Sequence, residues 1–145
     1  MSASEAPHDD ETRLLEIIFP EQANHYGALF AGSALSLLSK AAFIAASRCV
    51  HGNVVMARNG GTDFHSPVRV GELLELTAKV VRIGRTSLTV QVQGIAETLA
   101  DGLRRPALSG SFEMVSVDSA GKPVPIKNSR RHAFAGDRKP RLRTI

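Results

Sequence analysis

The spacing of apolar residues changes character twice along the chain. Leu14, Leu15, Ile17, Ile18 and Phe19 form a short run that Pro20 stops, which suits a first strand. From about Gly32 to Val50 (GSALSLLSKAAFIAASRCV) Ala and Leu dominate with no Pro and no internal Gly, and the segment predicts one helix. At about 3.6 residues per turn, Ser33, Ser36, Lys40 and Ser47 share a narrow arc with Ser39 beside it. Nearly everything else around the circumference is apolar, the pattern of a buried helix. After the helix the period shortens to two. Val54 to Phe64 is rich in strand formers but interrupted by Asn59-Gly60-Gly61, an expected bulge or bend. Leu73 to Ile83 is dense in Leu, Val and Thr, and Gly84 marks a turn. From Thr86 onward Leu88, Val90, Val92 and Ala96 alternate with Ser87, Thr89, Gln91 and Gln93. Leu99 to Pro106, with Asp-Gly and two arginines, reads as a loop. Ala107 to Asp118 reads as the last strand, closed by Ser119-Ala120-Gly121.

One strand, one buried helix and four further strands make an α+β pattern with a largely antiparallel sheet. The simplest packing wraps the sheet around the helix. Long strands leave an open sheet edge, so edge-to-edge pairing into an oligomer is expected. The 145 residues suit one domain, and no repeat divides them. Residues 1–12 are expected to be disordered, 13–126 to form the domain, and 127–145 to be a flexible tail.

Charge refines this division. Of 18 Lys and Arg residues, seven lie from Lys127 onward, against one of the 14 Asp and Glu residues, so the +4 net charge becomes −2 without the tail. The tail is the pattern of a solvated segment. Its basic residues have no interleaved aromatics beyond Phe134, which argues against nucleic-acid binding. Cys49 is the only cysteine, so no internal disulfide forms. The acidic N-terminus lacks a signal-peptide layout, and a cytoplasmic setting is expected. The longest apolar stretch, near Ala41 to Ala46, is far shorter than the roughly 20 residues of a membrane span.

Common site chemistries are missing from the sequence. There is no dinucleotide-binding glycine fingerprint. GALFAGS (Gly27 to Ser33) has the glycines of a phosphate loop but no Lys after the second. The five histidines lack metal-ligand spacing, and no GxSxG elbow occurs, so neither a metal nor a cofactor is expected. Asn24 and Gly27 precede the predicted helix, whose first turn offers unpaired N–H groups and a partial positive charge. Such a place can polarise a carbonyl and hold an oxyanion, or the loop residues can simply shape a tight turn.

Three stretches taken together, EQANHYGALFAGSALSLLSKAAFIAA (Glu21 to Ala46), TDFHSPVRVGELLEL (Thr62 to Leu76) and KVVRIGRTSLTVQV (Lys79 to Val92), resemble the acyl-CoA thioesterases of the YciA-like acyl-CoA hydrolase branch. The resemblance implies the hotdog fold and hydrolysis of acyl-CoA to free CoA and a carboxylic acid, with coenzyme A as part of the substrate. It implies a dimer, and further a trimer of dimers. Asn24 and the helix start near Gly32 would hold the carbonyl. Gly84, Arg85, Thr86 and Ser87 would belong to the CoA-binding surface, where Arg85 suits phosphate. His65 and Ser66 would line the substrate tunnel. The family's helix carries an Asp fifteen residues beyond the loop Asn, and here that place holds Ser39, followed by Lys40. Gly60, frequently acidic in relatives, is not acidic either. Ser39 is then expected to position a water that Asp63 or His25 deprotonates. The second expectation is a hotdog protein of weak or no turnover that senses or sequesters acyl-CoA.

Overall fold

The computed structural model describes residues 11–127, and its elements follow the predicted order. β1 (Glu11–Ile17) leads through a single 3-10 turn at Pro20–Gln22 into α1 (Ala31–Val50). β2 (Asn53–Phe64), β3 (Leu73–Ile83), β4 (Ser87–Glu97) and β5 (Arg104–Val117) follow. They form one sheet in the spatial order β1-β3-β4-β5-β2 with every neighbour antiparallel. The helix packs against all five strands. This is the hotdog fold.

The core follows from two periodicities meeting. Leu74, Leu76, Ala78 and Val80 of β3, Leu88, Val90, Val92 and Ala96 of β4, and Leu108, Phe112 and Met114 of β5 are buried on the helix side. Against them α1 lays Ala34, Leu37, Leu38, Ala41, Ala42, Ala45 and Ala46, a stripe at spacings of three and four. Each fully buried Leu here contributes about 2 kcal/mol from removal of apolar surface from water. By length and composition alone the helix is apolar enough to cross a bilayer, but that stripe is spent on the sheet.

Four expectations need correcting. Glu11 and Thr12 are not disordered: they pair with Lys79 and Ala78, because β3 is long enough to template them. Thr12 is buried, and its hydroxyl accepts a bond from Arg48 at 3.2 Å. The first strand accordingly starts earlier than Leu14 and ends at Ile17. The segment read as a loop is shorter, because Arg104, Arg105 and Pro106 already pair with Glu97, Ala96 and Ile95, beyond a bulge at Ala107 of β5. Finally, the helix is buried on one side only: Phe43 is half-exposed, and Gly32, Ser36 and Lys40 are exposed. No described element of this chain covers that flank.

The bulge expected at Asn59-Gly60-Gly61 is present, with a second between Met56 and Arg58. The Asn59 side-chain oxygen holds the first by accepting from the Gly61 N–H and the Thr62 hydroxyl. β2 is an edge strand with Val55, Met56 and Phe64 exposed. Beyond β5 the chain doubles back. The Val124 N–H donates to Ser116, and buried Ile126 donates to the Arg85 carbonyl at 2.7 Å. Residues 1–10 and 128–145, where the rest of the expected disordered ends falls, lie outside the described residues.

Candidate active site

Asn24 opens the loop that feeds α1. Its side-chain oxygen accepts from the Tyr26 N–H at 2.9 Å and the Ala28 N–H at 3.2 Å, while its own N–H donates to Ala28 and its carbonyl accepts from Gly27. The carboxamide oxygen is therefore committed to shaping the turn. Its NH2 has no hydrogen-bond partner among the described residues and can donate outward.

Helix α1 then begins without a side-chain cap, its N-cap being Phe30. The Phe30 N–H donates to Gln22 and the Ala34 N–H to Phe30, which leaves the N–H groups of Ala31, Gly32 and Ser33 without a backbone partner among the described residues. A side chain at position 32 would require the half-exposed Phe30 ring to move. A Cβ there would stand 2.9 Å from the Phe30 ring, which lies over the first turn.

Beneath this helix start lies a cavity of about 480 Å³, walled by Asn24, Tyr26, Ala28, Leu29 and Ala34 on one side and Phe64 to Arg69 with Leu108 on the other. Its lining is mostly apolar and contains no carboxylate. His65 and Ser66 are among its lining residues, and each also ties the end of β2 to β5. The His65 ring meets the Ser109 hydroxyl at 3.2 Å, and the Ser66 hydroxyl donates to the Pro106 carbonyl at 3.0 Å. A second groove of about 470 Å³ runs along the exposed flank of α1, lined by Gly32, Ser33, Ser36 and Lys40 with Glu16 and Gln22 opposite.

The cavity wall is fixed by a cluster that the sequence reading missed. Glu72, 9% exposed, accepts two bonds from the Arg105 guanidinium (3.0 and 2.7 Å), one from the Arg69 N–H (2.8 Å) and one from the Thr98 hydroxyl (2.8 Å). Arg105 also donates to the Pro67 carbonyl at 2.6 Å. The Arg105 hydrogen bonds, helped by the Arg69 N–H and Thr98 and opposed by burial, hold the Glu72 carboxyl down to about 2 from an ordinary 4.5. A Glu directly after the Gly71 turn was the available signal. Its partner stayed hidden because Arg105 had been read as loop.

At the other end of the sheet, Gly84 to Ser87 form the predicted turn, closed by the Gly84 N–H on the Ser87 carbonyl at 2.7 Å. The Thr86 carbonyl accepts from Ser116 and Arg85 carries the Ile126 bond, so the turn is anchored to β5 and to the chain beyond it. The Arg85 side chain is exposed. Ser87 is not: its hydroxyl accepts from Arg82 at 3.1 Å, and Arg82 also reaches Thr89 and Glu113. A side chain at Gly84 would collide with the Arg82 guanidinium at 2.8 Å. Arg82 is thus the internal support of the turn.

One chain does not gather all the predicted residues. Ser39 is half-buried on α1 and lines neither cavity nor groove. Asp63 is exposed on the edge strand opposite Ser109 and also lines neither. Among the described residues no three His, Cys, Asp or Glu side chains converge as a metal site.

Residues 26–102 match the family model of the thioesterase superfamily. The chain is 33% identical over 123 residues to an uncharacterised acyl-CoA thioester hydrolase of Zymomonas mobilis, covering 83% of each. It is 32% identical to the acyl-CoA thioester hydrolase YciA of Salmonella typhimurium, over 80% of this chain and 90% of that one. The structure of an apo-hexameric acyl-CoA thioesterase superposes with a TM-score of 0.79 at 28% identity, covering 94% of this chain and 95% of the other.

Proposed function

We infer the working of the site from one premise: the chain belongs to the thioesterase superfamily, and within it to the acyl-CoA thioester hydrolases. It is an acyl-CoA thioesterase. Water adds to the thioester carbonyl, the C–S bond breaks, and a carboxylic acid and free CoA leave. The observation that carries our assignment is that Asn24, whose amide NH2 has no partner among the described residues, lines an apolar cavity together with Leu29 and Ala34, which flank the uncapped start of α1. The N–H groups around Gly32 and the Asn24 amide hold the carbonyl oxygen as it gains charge. The acyl chain lies in the cavity, past His65 and Ser66. Arg85, exposed on the Gly84 to Ser87 turn, pairs with CoA phosphates.

These two ends belong to different subunits of one site. The cavity lies at the start of β3 and the CoA turn at its end. The eleven residues between, at about 3.3 Å each, separate them by roughly 30 Å. Antiparallel pairing of two copies through the exposed β2 edge reverses one sheet against the other, which brings the partner's CoA turn to the cavity end of this chain. It also covers Val55, Met56 and Phe64. The likeness to a hexameric acyl-CoA thioesterase supports an oligomer, and we assign a trimer of such dimers. In that dimer Ser39 faces the reacting carbonyl and positions water, and Asp63 from the edge strand supplies the base. The single Cys49 suits a reducing cytoplasm.

Thiol release from acyl-CoA by the parent, Ser39→Asp and Ser39→Ala tests this site. A carboxylate at position 39 is expected to raise turnover at least about tenfold, since general-base catalysis contributes on the order of 10²–10⁴. A silent or harmful Ser39→Asp together with a dead Ser39→Ala would show that the serine works by another mechanism and that its assigned place is wrong.

A further inference from the structure

We propose that the pair of buried Glu72 and half-buried Arg105 is the positioning element of the acyl site: it fixes the Pro67–Arg69 wall, holds the Asn24–Phe30 loop through that wall, and so sets which acyl chains the cavity accepts. The inference rests on the thioesterase reading above for its substrate, but on the structure alone for its mechanics.

The contacts form a continuous chain. Arg105, fixed in β5, grips the Pro67 carbonyl with the same guanidinium that grips Glu72. Glu72 in turn takes the Arg69 N–H, so both ends of the Pro67–Arg69 segment hang on one ion pair. That segment carries the loop: the Leu29 N–H donates to Val68 at 2.7 Å, Val70 donates to Gly27 at 3.1 Å, and Ala28 bridges Arg69. Leu29 is followed by Phe30, the N-cap of α1, and Ala28 is held by the Asn24 side chain. Two backbone hydrogen bonds therefore separate the ion pair from the residues assigned to the carbonyl. Val68, 2% exposed, is the apolar face that the wall turns inward.

The chemistry of the pair suits a fixed clamp. A bidentate guanidinium–carboxylate contact has one geometry, so it transmits position as well as attraction. Every oxygen lone pair on Glu72 that faces protein is used, by Arg105, Arg69 and Thr98. Losing Arg105 leaves the Glu72 carboxylate buried without its counter-charge, losing Glu72 leaves a half-buried guanidinium unpaired, and among the described residues the wall has no second ion pair. A site displaced by a fraction of an ångström loses rate steeply, and it loses it unequally for acyl chains that press on the wall to different degrees.

The test compares the full-length parent with Glu72→Gln, Glu72→Asp and Thr98→Val, on butyryl-, octanoyl- and dodecanoyl-CoA. The ratio of kcat/KM between short and long chains does not depend on the fraction of folded enzyme, so a merely structural role leaves it unchanged. It is expected to shift by about tenfold in Glu72→Gln. Glu72→Asp, which keeps the charge, should recover part of the shift, and Thr98→Val, which removes one bond, should shift it less. Residue-resolved hydrogen exchange supplies a second reading independent of turnover. The Leu29 and Val70 amides should exchange at least about tenfold faster in Glu72→Gln or, if that variant does not fold, to a smaller degree in Thr98→Val, with the Val90 and Val92 amides unchanged. An unchanged chain-length ratio in an active Glu72→Gln overturns the proposal, as does loss of protection spread evenly over the core. If the parent itself releases no thiol, the thioesterase reading fails, while the exchange result still decides whether the clamp holds the loop.

Discussion

Two arginine–glutamate pairs brace the two ends of this sheet, and they differ in how wet they are. At the cavity end, Arg105 and Glu72 are 35% and 11% exposed and make two hydrogen bonds to the wall they hold, at the Pro67 carbonyl and the Arg69 N–H, with a third from Thr98. At the Gly84–Ser87 turn, Arg82 and Glu113 are 43% and 27% exposed, bridged by the Thr89 hydroxyl and, among the described residues, hydrogen-bonded to the turn through Ser87. In the proposed function the cavity takes an acyl chain, whose fit depends on fixed walls and so on a drier, single-geometry clamp. The turn proposed to meet CoA phosphate faces a ligand that stays partly hydrated, and a half-solvated support would let Arg85 adjust to it. One pair sets shape. The other tolerates motion.

The sharpest way to break this contrast is stability against pH. Glu72 has a folded-state pKa of about 2 against an ordinary 4.5, so the charged carboxylate stabilises the fold. That contribution is fully present above about pH 4.5 and fades as pH falls towards 2; the shift corresponds to about 3 kcal/mol. Glu72→Gln should therefore lower the urea midpoint strongly at pH 7. At pH 3 the gap to the parent should narrow, because the unfolded carboxyl is then protonated, and it should close to what the unpaired Arg105 still costs only as pH approaches 2. Glu113→Gln, at a half-exposed pair, should cost under about 1 kcal/mol at pH 7. Equal losses at the two sites, or a Glu72→Gln gap that does not narrow in acid, would erase the distinction.

A smaller effect sharpens the other side. Arg85→Ala should weaken CoA binding by about 1–2 kcal/mol by calorimetry, with the loss shrinking at high salt and the melting temperature unchanged. A salt-independent loss would mean that Arg85 shapes the turn rather than meeting phosphate.

These two clamps were also where the sequence was hardest to read. The strands and the helix were legible because apolar period alone specifies them: β3 runs Leu73–Ile83 as the pattern said, and Leu88, Val90, Val92 and Ala96 all face the core. The positions of Asn24, Gly32 and the Gly84 turn were legible because a loop before a helix and a turn between strands are local features. Long-range polar pairs leave no local trace. Glu72 and Arg105 are far apart in sequence, and an Asp-Gly with two arginines looks like solvent-exposed loop until β4 is seen to pair with it. The half-bare helix flank was hidden for a related reason. An apolar surface reads alike whether its cover comes from the same chain or from a second copy.

The most direct measurement is thiol release from acyl-CoAs of graded chain length, run beside calorimetric binding of the same ligands. Hydrolysis at the Asn24–Gly32 site predicts one CoA thiol freed per thioester consumed. It also predicts a fall of about 10²–10³ in kcat for Asn24→Ala, the cost of losing one donor to the oxyanion. Tight acyl-CoA binding with no thiol released from any chain length would contradict it and leave a protein that holds acyl-CoA without cleaving it.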